Sequence, residues 1–145
     1  MEISIINTPF NVHLYGYSGT VENKQYGQTG FKLMDAMWKE IRLYEMQHKG
    51  VNHWVYLPGE TMFVGVELKQ PAPQSSTLEY KNVQLNKYAY YKHIGPYNLL
   101  AQVYAGIRQE LSDRGLKPVS PGMEIYGHWN NDESKLETEI LMSFE

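Results

Sequence analysis

Apolar residues along the chain change their spacing twice, from alternation to every third or fourth position and back. Val12-His13-Leu14-Tyr15-Gly16-Tyr17-Ser18-Gly19 alternates as a half-buried strand does. Leu33, Met34, Met37, Trp38, Ile41 and Tyr44 then fall on one face of a helix predicted from Phe31 to Gln47. Two β-rich runs follow, Gly50 to Tyr56 and Met62 to Leu68, joined by a Pro58-Gly59-Glu60 turn. The second part repeats the order. Tyr88 to Tyr97 reads as a strand. A helix is predicted from Asn98 to Leu111, with Asn98 as its cap and Gly115 as its stop. Gly122 to Trp129 and Leu136 to Phe144 then form a hairpin around a polar Asn130-to-Lys135 turn.

Between the two parts, Gln70 to Thr77 has no apolar period, and its two prolines deny it a continuous helix or central strand. The pattern predicts strand, helix, strand, strand, twice, with half-repeats of about 3–69 and 78–145 and a linker at 70–77, all within one domain spanning 1–145. Strands closed by tight hairpins favour an α+β fold with a mainly antiparallel sheet, two main helices, and a ligand cleft at the pseudo-twofold seam. Aligning Gly50 with Gly122 sets Asn52 against Glu124 and Trp54 against Tyr126; aligning Ile41 with Ile107 sets Trp38 against Tyr104.

Charge and composition narrow the chemistry. The net charge is −3 and no Lys/Arg run occurs, which argues against direct nucleic-acid binding. No apolar stretch approaches a membrane span, and no leader precedes the first strand, so a cytoplasmic protein is expected. With no cysteine, disulfides and Cys-based zinc sites are impossible, and His13, His48, His53, His93 and His128 lack metal-ligand spacing. His48 is read as sitting at a polar helix end, in contact with the helix dipole. No Gly-x-Ser-x-Gly elbow or glycine-rich phosphate loop is present, so neither a metal nor a cofactor is expected. The excess is in aromatics: 12 Tyr, 3 Trp and 4 Phe, of which tyrosine best suits a polar-rimmed pocket.

Alternation places Met123 and Ile125 on one face of their strand and Glu124, Tyr126 and His128 on the other. That second face is either a solvated edge or the floor of an aromatic pocket. In the pocket reading, Glu124 attracts organic cations while aromatic faces add cation–π energy of about 0.5–2 kcal/mol each. A desolvated Glu124 without a partner would instead suit general acid–base chemistry. Trp54, on the face of Asn52 and Tyr56, is a pocket candidate; Trp38 and Tyr104 are equally compatible with core or pocket wall.

Tyr91-Lys92-His93-Ile94-Gly95-Pro96-Tyr97, then Pro121-Gly122-Met123-Glu124-Ile125-Tyr126 and Glu137-Thr138-Glu139-Ile140-Leu141-Met142, resemble the GyrI-like family, which includes effector-binding domains of multidrug-responsive transcription regulators. The resemblance implies a duplicated fold around a ligand cleft, with Glu124 as the acid that meets cationic aromatic ligands. Tyr126, Trp54, Trp38, Tyr104, Asn52, Tyr56 and His93 are the accompanying site candidates. The segment before Val12 is too short for a helix-turn-helix, so a stand-alone binding domain is expected. The family also has members that resemble hydrolases of cyclopropane-type compounds, and a gyrase-inhibiting protein. Two further roles therefore stand open: hydrolysis by the same Glu124, or action on a protein partner through Asp132, Glu133, Glu137 and Glu139.

Overall fold

The computed structural model describes residues 1–145. Its strands are β1 (Ser4–Ile6), β2 (Phe10–Thr20), β3 (Asn52–Leu57), β4 (Thr61–Val66), β5 (Glu79–Leu85), β6 (Tyr88–Ile94), β7 (Pro118–Tyr126) and β8 (Glu137–Phe144). Two helices, α1 (Tyr26–Leu43) and α2 (Leu100–Asp113), complete the α+β fold. All eight strands form one antiparallel sheet in the order β1-β6-β8-β7-β3-β4-β2-β5.

That order brings β3 and β7 together at the centre, with Trp54 opposite Glu124 and Asn52 opposite Tyr126. The two edges were not evident from local pattern. β1 pairs with β6, and β5 pairs with β2, so each part of the chain lends its first strand to the other. β1 is three residues long and β5 buries only Val83 and Leu85, which leaves little alternation to detect.

The sheet is strongly curled. Phe10 on β2 and Tyr88 on β6 are five strand steps apart, roughly 24 Å in a flat sheet. Their ring centroids nevertheless lie 6.2 Å apart. The inside of the curl is filled by strand side chains alone, including Leu14, Val55, Phe63, Met123 and Leu141. Close backbone approach permits the bend: Gly16 and Gly65 face one another, and a Cβ on Gly16 would stand 1.8 Å from the Val64 carbonyl oxygen.

Both helices pack on the outer face. Met37 and Ile41 of α1 meet Val64 and Val66; Val103, Ile107 and Leu111 of α2 meet Ile140 and Phe144. α1 begins five residues earlier than its apolar period predicts, through Gly27 and Gly30, and ends at Leu43. His48 therefore lies beyond the helix, in an isolated bridge with Leu68, and the helix-dipole reading does not hold. α2 has Leu99 as its N-cap because Tyr97–Leu99 form a 3-10 turn; the Asn98 side chain caps nothing. Gly115, with φ of +71°, ends α2 as expected. β7 stops at Tyr126, so His128 and Trp129 belong to the following loop and not to the strand.

One titratable group is sealed inside the curl. His53 is 3% exposed, and its Nδ1–H donates to the Val51 carbonyl at 3.1 Å. Burial holds the imidazole below its ordinary value of 6.5, against the smaller opposing pull of Glu67 and Glu139. The unfolded chain then binds a proton more readily than the folded one below about pH 6.5. Stability is expected to be constant above that pH and to decline as pH falls toward 5.5, by up to about 1.4 kcal/mol per unit. Urea midpoints measured across pH 7.5 to 5.5 should show this slope in the wild type and a flatter one in His53→Gln.

Candidate functional site

The central pair of strands and the two helices above them converge on Glu124. Strand alternation turns Glu124 and Tyr126 toward the helices. Tyr56, two residues beyond Trp54 on β3, lies diagonally across the ladder from Glu124. Tyr104 descends from α2, on the face that carries Val103 and Ile107.

Each of these three tyrosines donates to the carboxylate. Tyr56 and Tyr126 reach Oε1 at 2.6 Å each, and Tyr104 reaches Oε2 at 2.6 Å. Glu124 is 4% exposed, so it is not a solvated edge residue. A buried carboxylate without donors would cost several kcal/mol; charge-assisted bonds from three hydroxyls offset that cost. Burial, reinforced by the neighbouring carboxylate, raises all three phenols well above the ordinary tyrosine value. They therefore act as fixed donors.

Two cavities meet at this carboxylate. One, of about 620 Å³, runs under α2 and includes Tyr26, Tyr104, Arg108, Ser120 and Met142. The other, of about 550 Å³, opens between α1 and the loop after β7. Glu124 and Tyr56 line both, and Glu124 is the sole acid in either. The second cavity is walled by Phe31, Trp54, Tyr56, Tyr97, Tyr126 and Trp129. Their rings interlock edge to face: Phe31 on Trp54 at 5.3 Å, Trp54 on Tyr126 at 5.5 Å, and Tyr97 on Tyr126 at 5.4 Å.

Gly30 explains why α1 starts where it does. A Cβ there would lie 2.2 Å from the Trp54 ring, so the indole packs directly on the helix backbone. Glycine weakens a helix by about 1 kcal/mol, which is why local propensity starts this one too late. Contact with Trp54 overrides that preference.

The structure brings Glu124, Tyr126, Tyr56, Trp54, Tyr104 and Asn52 together around the two cavities. Trp38 and His93 line neither. Trp38 stands behind the wall, donating from Nε1 to Asn52 Oδ1 at 2.8 Å and packing on His48. His93 is buried and its Nε2–H donates to the Pro96 carbonyl at 2.9 Å, which ties down the turn before α2. Sequence reasoning missed Tyr26, Phe31, Tyr97, Arg108 and Trp129. Phe31 and Trp129 are 57% and 76% exposed, and no spacing rule assigns an exposed aromatic to a cavity mouth. Three of the four hairpin acids are engaged within the fold: Glu137 with Lys92 at 2.5 Å, Glu139 with the Tyr90 hydroxyl at 2.6 Å, and Asp132 with Ser134; the Glu133 side chain has no such partner. No three His, Cys, Asp or Glu side chains cluster as metal ligands, and no helix is long and apolar enough to cross a membrane.

The GyrI-like small molecule binding domain matches residues 59–144, more than half of the chain. The chain belongs to this family. Among solved structures, the fold is similar to the EcmrR C-terminal domain, with TM-score 0.77 and 16% identity over 99% of this chain and 97% of that one. In the EcmrR–DNA complex the likeness spans 56% of the longer chain, with TM-score 0.69 and 14% identity over 99% of this chain. SAV2435 bound to tetraphenylphosphonium is similar at TM-score 0.65 and 16% identity, over 100% and 94% of the two chains. A hydrolase from Listeria innocua is similar at TM-score 0.60 and 12% identity, over 99% and 92%. These likenesses show the GyrI-like fold. A comparison with curated proteins by sequence gives no match.

Two substitutions probe the cluster. Tyr104→Phe removes one donor from the buried carboxylate and is expected to cost about 1.5–3 kcal/mol, read from urea unfolding at pH 7. Gly30→Ala forces the Trp54 ring off α1 and is expected to cost about 1–3 kcal/mol, although the helix itself should gain from alanine. A stabilised Gly30→Ala would show that this packing does not govern the helix start.

Proposed function

We propose that this GyrI-like domain binds small hydrophobic or cationic aromatic molecules, with Glu124 as the anchor. The observation that carries the reading is a buried carboxylate, the sole acid of two joined cavities, ringed by aromatic side chains. Cavities of this size fall within the range of about 300–1,000 Å³ that small-molecule sites occupy. The hydroxyls orient the carboxylate but leave its negative charge intact, in surroundings where charge is weakly screened. A cation placed over the Tyr and Trp faces gains about 0.5–2 kcal/mol from each good contact.

Acceptor capacity points to the kind of cation. A carboxylate has about four lone-pair sites, two per oxygen. Tyr56 and Tyr126 take both on Oε1, and Tyr104 takes one on Oε2. Recognition then relies on charge and ring contact more than on ligand N–H groups. The same class of cation, one without N–H or O–H donors, is the tetraphenylphosphonium bound to SAV2435. Hydrolysis by Glu124 of a cyclopropane-type electrophile is less well supported, because three of its four acceptor sites are taken before a water arrives. An inhibitor role through the hairpin acids is weaker still, since three of the four, Glu137, Glu139 and Asp132, already have partners and only Glu133 does not.

Titration with tetraphenylphosphonium, followed by tryptophan fluorescence, tests the anchor. Wild type should bind, and Glu124→Gln should weaken binding roughly tenfold or more, equivalent to about 1.4 kcal/mol. Equal affinity in the two proteins would refute the role of Glu124.

A further inference from the structure

The two cavities that meet at Glu124 differ in their polar equipment. The aromatic cavity has Asn52 and His128 at its margins and no free cation of the arginine or lysine kind. The cavity under α2 contains Arg108, whose guanidinium carbon lies 5.4 Å from the centre of the Tyr104 ring. Arg108 is exposed and takes part in none of the ion pairs of the protein. Its helix neighbours three and four residues away are Ala105, Tyr104, Leu111 and Ser112, none of them acidic. The two acids nearest it along α2 are engaged elsewhere, Glu110 with Arg114 and Asp113 with Gln109.

Facing it across the cavity is an irregular piece of β7. The ladder to β8 shifts register between Pro118 and Gly122, so Val119–Pro121 have no ladder partners on β8. Ser120 on this bulge lines the same cavity. An uncommitted guanidinium thus stands on the Tyr104 ring and the carboxylate at its hydroxyl, with Ser120 in the same cavity lining. Tyr104 touches both: its hydroxyl bonds Glu124 and its face carries Arg108. The cavity is therefore dipolar, with donors at the Arg108 end and an acceptor at the Glu124 end.

We infer that the Arg108 end of this cavity is a subsite for the carboxylate of a ligand whose cationic aromatic part lies at Glu124. The ligand class is a zwitterion with its two charges separated by an apolar segment about as long as a tyrosine ring. Arg108 is suited to it, since a guanidinium offers two parallel N–H donors to one carboxylate. Apolar Met142 and Ala101 line the same cavity. This deepens the anchor reading, on which it rests, by assigning the second cavity its own chemistry.

Rhodamine B and its ethyl ester share one tetraethyl xanthene cation without N–H groups and differ only in whether the carboxylate is free. Fluorescence anisotropy gives the Kd of each dye for wild type, Arg108→Gln, Arg108→Lys and Glu124→Gln. Arg108→Gln is expected to raise the ratio of the rhodamine B Kd to the ester Kd by about fivefold, and Arg108→Lys to restore part of it. An unchanged ratio in Arg108→Gln would overturn the subsite while leaving the anchor standing. Glu124→Gln should weaken the ester; if it does not, the anchor reading fails and the Arg108 ratio alone decides the subsite. Absence of binding by either dye to the wild type would overturn both.

Discussion

A carboxylate withdrawn from water has to be compensated, and the centre of this protein is organised by how Glu124 achieves that. Its three donors come from three different elements: Tyr56 from β3, Tyr126 from β7 and Tyr104 from α2. Satisfying one side chain therefore fixes the register of the central strand pair and the seat of a helix on the sheet. Hydroxyl donors achieve this without cancelling the charge, as an arginine partner would. The protein keeps a buried negative charge that is structurally satisfied and electrostatically available.

The curled sheet makes room for this arrangement. Because the inner face is filled by strand side chains such as Leu14, Phe63 and Met123, the outer face is left to the helices and to the site. The two helices pack on separate clusters, α1 over β2 and β4 and α2 over β6 and β8, with Trp54 and Glu124 of the central strands buried between them. The two cavities meet over those central strands, at Tyr56 and Glu124. Exchange of the edge strands β1 and β5 ties the two parts of the chain together at the margins, far from the central strands β3 and β7.

Where local pattern was misleading, a distant contact was responsible. Gly27 and Gly30 disfavour helix, so the apolar period places the start of α1 too late, yet Gly30 is where the Trp54 ring rests. β1 and β5 were missed because each is stabilised by a strand from the other part of the chain, with little alternation of its own. Trp38 and His93 have residue types that suit a pocket, but hydrogen bonds to Asn52 and the Pro96 carbonyl commit them to structure.

Alternation and helical period were sufficient, by themselves, to establish the α+β order, both hairpins, and the face on which Glu124 and Tyr126 lie. Side-chain direction in a strand follows from the backbone alone, so that much is local. Whether that face meets water or helices is a question of what packs above it. Only the tertiary structure placed Tyr104 over Glu124, drew Tyr56 across the ladder, and set Arg108 and Trp129 at the ends of two joined cavities. Burial and donor geometry are properties of elements brought together in space, and they turn an ordinary strand glutamate into a buried, satisfied charge.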